Sequence, residues 1–174
     1  DNLVLVKQTT GLLHQLGAHR VMLKLDLTRA SDSLSWPFLF EALCQYGFGE
    51  RFLEWLAILL SSANTRVLLN GEPGPSIWRR CGLRQGDPLS PQLFSLVVDI
   101  LGRLIKRAID DGILQRLHPQ RPIQAISLYA DDVVLFCQPS PADLAAVKGI
   151  LEIFRRASGL RINYAKSSAT LLHC

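Results

Sequence analysis

The sequence predicts an α+β fold, an antiparallel sheet packed with helices. Three observations point there. Apolar residues recur at helical spacing in several segments, alternate with period two near the N-terminus, and form two short strands around a tight tip near residue 130. Hairpins of that kind imply antiparallel pairing, which places the chain among mixed layer structures. At 174 residues and 48% hydrophobic it can bury one sizeable core, so residues 1–174 are expected to form one compact unit.

The elements follow in order. Residues 2–16 carry apolar positions at helical spacing despite Gly11. In "VMLKLDLT" Val21, Leu23, Leu25 and Leu27 alternate with Met22, Lys24, Asp26 and Thr28, a strand with one buried face. Ser35, Trp36 and Pro37 read as a helix start running to about Tyr46, and a second helix covers about 50–62 after the Gly47–Gly49 break. "TRVLLNGEPGPSIWRR" reads as two strands around a Gly/Pro turn. Ser90 and Pro91 open the longest helix, whose stripe of Leu93, Val97, Ile100, Leu101, Leu104, Ile105 and Ala108 is accounted for by core packing. After a loop over 111–124 come strands at 126–129 and 133–136. Ser140, Pro141 and Asp143 then supply an N-cap, an N1 proline and an N3 acid for a helix to about Ala157. "SGLRINYAKS" is a glycine stop followed by extended chain.

The formal net charge of +4 and pI near 9.1 suit a polyanionic partner and suit an ordinary basic surface equally well. The four cysteines, Cys44, Cys81, Cys137 and Cys174, are scattered without a CxxC pair or histidines at ligand spacing, which argues against a zinc site and for reduced thiols. No signal peptide is evident and no apolar run reaches membrane-spanning length, so a soluble intracellular protein with no membrane partner is expected. The abrupt apolar opening and the ending "LLHC" suggest a piece of a longer protein.

One stretch does not fit core packing. "SLYADDVVLFC", residues 127–137, sets Asp131 and Asp132 side by side in an apolar run. Ionised carboxylates taken from water cost several kcal/mol or more unless paired. Either the pair sits at a solvated turn or a cation rests on it. With Asp26 brought alongside by the fold, the three would make an oxygen-rich site of the kind Mg²⁺ prefers. Two such ions about 4 Å apart can clamp the attacking and leaving oxygens of an in-line phosphoryl transfer. Spacing leaves both readings open.

"YADD" (129–132) resembles the YxDD signature of reverse transcriptases, and three further stretches agree in order. "KLDLTRASDSLSW" (24–36) resembles the first catalytic motif of non-LTR, LINE-type retrotransposon enzymes. "GLRQGDPLSPQLF" (82–94) matches the second motif almost letter for letter, and "SGLRINYAKS" (158–167) resembles the fourth. The opening "DN" resembles the end of the fingers region. The resemblance spans nearly the whole chain. It implies a polymerase palm, an RRM-like antiparallel sheet packed with helices, with incomplete fingers and no thumb.

It further implies an RNA-directed DNA polymerase that transfers a nucleotidyl group from a dNTP to a primer 3′-hydroxyl on an RNA template. Asp26, Asp131 and Asp132 would be the catalytic carboxylates holding two Mg²⁺, with Mn²⁺ as a substitute. Leu27 would lie against the triphosphate through its backbone, and Arg84, Gln85 and Gly86 near the nucleotide and templating base. Lys166 would protonate or neutralise the departing pyrophosphate. RNA template, DNA primer and dNTPs are the implied partners, and the nucleus and cytoplasm the implied location.

Each role has a plainer alternative. Gly86, Asp87 and Pro88 make a turn before a helix. Lys166 alone is a surface lysine, Tyr129 reads as a packed strand residue rather than a primer contact, and Trp36 as core. Arg103, Lys106 and Arg107 are explained by a solvated helix face as well as by phosphate contacts. Two positions depart from the family motif. Ser31 stands where the family has the aromatic steric gate that excludes a ribose 2′-hydroxyl, which implies weakened sugar selection or a decayed element copy. Arg29 replaces lysine with its charge kept. With the remaining fingers, the thumb and an endonuclease region missing, weak or no activity is expected of the chain alone. The competing readings are a group II intron-type reverse transcriptase and a non-catalytic remnant that binds nucleic acid at most. A nucleotide cyclase of similar fold does not explain "GLRQGDPLSP".

Overall fold

A computed structural model describes residues 2–17, 19–28, 30–129 and 132–172. Helix α1 (Asn2–Gln15) leads into strand β1 (Arg20–Thr28), a four-residue turn of helix α2 (Ala30–Ser33), and helices α3 (Trp36–Gln45) and α4 (Glu50–Ser61). Four two-residue strands follow: β2 (Asn64–Thr65), β3 (Leu68–Leu69), β4 (Glu72–Pro73) and β5 (Ile77–Trp78). Then come α5 (Ser90–Asp110), β6 (Ile126–Tyr129), β7 (Asp132–Cys137), α6 (Pro141–Ser158), β8 (Arg161–Ile162) and β9 (Ser168–Leu172).

Local chemistry sets the helix ends where the sequence places them. The Ser35 hydroxyl accepts from the Phe38 N–H at 3.5 Å and the Ser140 hydroxyl from the Asp143 N–H at 3.1 Å, each followed by a proline in the first turn. Gly159 ends α6 in the left-handed region at φ 79°, where a Cβ is costly. The expected hairpin forms as two nested ladders, β2 with β5 and β3 with β4. Asn70 (φ 52°) and Gly71 (φ 87°) turn between β3 and β4, the positive-φ pair that matches strand twist.

The main sheet is antiparallel in the order β6–β7–β1, and β8 and β9 both pair with the other flank of β1. α5 packs against β6, α3 and α6. Leu93, Val97, Leu101 and Ile105 from the α5 stripe meet Leu39, Leu43, Val133, Leu135 and Phe154 in the core. Ile100 and Leu104 of the same stripe are only partly buried at its border. The fold is the expected α+β arrangement.

Three features differ from the sequence reading. α2 was not anticipated, because four residues carry no periodic signal. The extended tail resolves into β8, a turn and the edge strand β9, whose residues are mostly exposed and so show little alternation. Tyr129 is not packed: it is 65% exposed at the end of β6, beyond the reach of the helices that cover Ile126 and Ser127.

Cys137, at the far end of β7, is buried, and burial followed by the nearby Asp143 charge pushes its thiol up to about 11. The thiolate is the reactive form. At pH 8, iodoacetamide is expected to modify the exposed Cys44 and Cys81 in the native protein and Cys137 only after unfolding, as read by peptide mass spectrometry. Labelling of Cys137 at the same rate as Cys81 would show that this strand end is open.

Candidate active site

The sheet register brings Asp26 and Asp132 together. β1 and β7 pair antiparallel from Val21↔Cys137 to Asp26↔Asp132, so two acids distant in sequence face each other at the last rung of the ladder. Directly opposed residues in such a pair have Cβ atoms about 4.5–5.5 Å apart, and like charges there repel. Both are half-buried. The Lys24 ammonium lies 3.5 Å from the Asp132 carboxylate and offsets part of that repulsion. With both side chains about half exposed, this pair contributes at most about 1 kcal/mol. Asp131 lies outside the described residues. Among the described residues no group of three or more acids, histidines or cysteines is assembled for a metal ion. The donor set that is seen, hard carboxylate oxygens half open to solvent, nevertheless suits an oxygen-preferring divalent cation.

The other flank of this rung has its own construction. Between β8 and β9, residues 163–167 oppose only Leu25 and Asp26, so the edge strand bulges beside the acid. Asn163 donates its N–H to the Asp26 carbonyl at 2.8 Å, and its own carbonyl accepts from the N–H groups of Lys166 (3.1 Å) and Ser167 (2.9 Å). The Ser167 hydroxyl accepts from the Asp26 N–H at 3.3 Å and donates to the Asn163 carbonyl at 2.7 Å. The bulge therefore satisfies the backbone of Asp26 and holds an exposed Lys166 in the turn beside it. Bulges often serve to re-aim side chains next to sites of chemistry.

Leu27 buries its side chain. The ladder alternation around Asp26 and Asn163 turns the Leu27 N–H and C=O away from β8, toward the β6–β7 hairpin. Arg84, Gln85 and Gly86 form an exposed turn ahead of α5. Gly86 has φ 87°, the Asp87 N–H donates to the Arg84 carbonyl, and the Asp87 carboxylate accepts from the Leu89 N–H at 2.9 Å. A turn before a helix is thus present, and it presents Arg84 and Gln85 to solvent. Ser31 lies in α2, and its side chain is outside the described set. Trp36 is partly buried against the core, with its indole N–H donating to the Gly82 carbonyl at 2.8 Å. Arg103 and Arg107 pair with Asp99 and Asp111 one helical turn away, the solvated-face arrangement.

Sequence reasoning passed over Lys24 and Ser167. The first sits two residues before Asp26 on the same face, a spacing that reads as ordinary strand alternation. The second acts through a register that no local pattern reveals.

An antiparallel sheet packed with helices, with Asp26 and Asp132 paired at the end of its two central strands, is the architecture of a polymerase palm. The family model described as reverse transcriptase (RNA-dependent DNA polymerase) matches residues 2–172. The chain belongs to the reverse transcriptase family, as a domain of the LINE-type, non-LTR kind. It is 32% identical over 171 residues to a 149 kDa protein of transposon TX1 from Xenopus laevis, covering 98% of this chain and 13% of that protein. It is 28% identical over 166 residues to the Pol polyprotein of the type-2 retrotransposable element R2DM from Drosophila melanogaster, covering 95% of this chain and 15% of that protein. The chain thus spans only a small part of these relatives. Among solved structures, Candida tropicalis telomerase with a TWJ fragment of telomeric RNA superposes with a TM-score of 0.69 at 14% identity, over 98% of this chain and 29% of that one. That likeness shows the fold. Among the described residues, no helix is long and apolar enough to cross a membrane.

Proposed function

We propose that this domain is the catalytic palm of an RNA-directed DNA polymerase, extending a DNA primer on an RNA template from dNTPs. The observation that carries the reading is the cross-strand pair Asp26↔Asp132 at the end of the two central strands, in a chain of this family. Asp26 and Asp132, with Asp131 beside them in sequence, would hold two Mg²⁺, or Mn²⁺ in their place. Such ions, when bound, neutralise a triphosphate and activate a primer hydroxyl.

The protein's own groups then position the substrates, since phosphoryl transfer is mainly placement and charge neutralisation. Leu27 offers backbone groups on the hairpin side of β1. Arg84 and Gln85 stand on a glycine-bearing turn where a nucleotide and its templating base could be met. Lys166, whose backbone the bulge holds in the turn beside Asp26, would offer its ammonium proton to a leaving pyrophosphate. By the motif match Ser31 would stand at the sugar position, where it would leave the ribose 2′-hydroxyl unopposed and weaken discrimination against rNTPs. A protein of this kind works inside the cell, in nucleus and cytoplasm.

The test is Mg²⁺-dependent primer extension on an RNA template by the purified chain beside an Asp131→Asn/Asp132→Asn control. Extension by the wild type, weak for this chain alone, that disappears in the control is the expected result. If neither protein extends a primer, catalysis by this chain is overturned, and retained binding of primer–template would favour a non-catalytic nucleic-acid-binding domain.

A further inference from the structure

The segment that follows β1 is gripped from two sides by backbone. On one side, the Gly82 N–H donates to the Leu34 carbonyl at 2.7 Å and the Gly82 carbonyl accepts the Trp36 indole N–H at 2.8 Å. A Cβ built on Gly82 would lie 2.5 Å from the Asp32 carbonyl oxygen and 2.7 Å from its carbon. On the other side, the Ser158 carbonyl accepts the Ser35 N–H at 2.8 Å, and a Cβ on Gly159 would overlap the Ser33 carbonyl oxygen. Both glycines have φ near +78°, closed to most side chains. Neither contact leaves room for an intervening side chain.

A four-residue helix has no stability of its own, because nucleation costs more than one turn returns. The position of α2 is therefore set from outside, by Gly82 and Gly159. These two glycines also head the stretches that carry Arg84–Gly86 and Lys166. One junction thus ties α2 to the starts of both stretches.

We infer that Trp36, Gly82 and Gly159 act as positioning residues, clamping α2 so that position 31 meets the nucleotide sugar at a set distance from Asp26. This rests on the polymerase reading above. Trp36 is the member that can be altered with least disturbance: Trp36→Phe keeps a ring and removes the N–H that holds Gly82.

The experiment measures Mg²⁺-dependent binding of dATP and of ATP by calorimetry, together with KM and kcat for single-nucleotide incorporation, in the full chain. A Trp36→Phe protein with wild-type circular dichroism is expected to bind dATP about fivefold more weakly, because an α2 loosened by the loss of one hydrogen bond is competent to bind only part of the time. Its dATP-to-ATP affinity ratio, already low with serine at position 31, is expected to fall further toward one, with KM rising while kcat falls less. Trp36→His, which restores a ring N–H, is measured beside it and is expected to bind dATP near the wild-type level. Wild-type affinity and ratio in a folded Trp36→Phe protein, or a Trp36→His protein that shows no recovery, would overturn the clamp while leaving the polymerase reading standing. A wild type that binds neither nucleotide would remove that reading and the clamp with it.

Discussion

Asp26→Asn is expected to cut Mg²⁺-dependent primer extension by at least a hundred- to thousandfold, on the order of losing one preorganised electrostatic contact to the transferring group, while raising the melting temperature of the metal-free protein. The two effects have opposite signs because the same charge serves one state and burdens the other. Asp26 faces Asp132 directly across the β1–β7 ladder. Like charges so placed are destabilising; on the scale of other cross-strand pairs, about 0.2–1 kcal/mol, removing one charge corresponds to a rise of about 0.4–4 °C for a domain of this size. Asp132→Asn is expected to lose extension equally but to gain less stability, since it also gives up the 3.5 Å Lys24 pair. Thermal scans in EDTA beside extension assays check both halves. A melting temperature that falls in Asp26→Asn would show that the acid is held by favourable partners rather than kept for a cation.

Asp143→Ala is expected to destabilise the fold by about 2–4 kcal/mol, the range for removing a buried hydrogen-bonded carboxylate and stranding its partners. Asp143 is 1% exposed, and one carboxylate oxygen accepts from the backbone N–H groups of Gln138 (3.3 Å) and Gln115 (3.4 Å). It also occupies the first turn of α6, where a negative charge is favoured. Arg20, at the start of β1, donates through its guanidinium to the Leu117 carbonyl, with Asp143 the attractive charge that opposes the desolvation of Arg20. One carboxylate therefore joins the end of β7, the start of α6 and the loop after α5. Asp143→Asn keeps an acceptor oxygen and is expected to recover part of the loss. Urea unfolding reads this as a lower midpoint at unchanged slope. A shift below about 1 kcal/mol in Asp143→Ala would mean that water replaces the carboxylate and that the loop is not anchored there.

Asp143 also marks a limit of sequence reading. Its place as the N3 acid behind Ser140 was legible as a capping feature, whereas its burial and its hold on Gln115 were not. Capping is decided within one turn of helix, and the second contact depends on where a distant loop returns. Tyr129 makes the same point in reverse. Its place in an apolar strand read as packing, but the covering helices stop short of the strand end and leave the ring exposed.

Neighbouring residues alone were enough to read the α+β class, the long helices and their capped ends, a hairpin around a Gly/Pro turn, and the motif stretches that mark a reverse transcriptase domain. All of these are written in neighbouring residues: periodicity, cap chemistry, glycine at strained φ, and short strings of specific side chains. Not legible there were the rung shared by Asp26 and Asp132, the edge-strand bulge that ties the Asp26 backbone through Asn163 and Ser167, and the closing of Gly82 and Gly159 on the segment after β1. Those outcomes depend on strand register and on backbone approach between segments far apart in the chain, and both are settled by burying one common core rather than by any local preference.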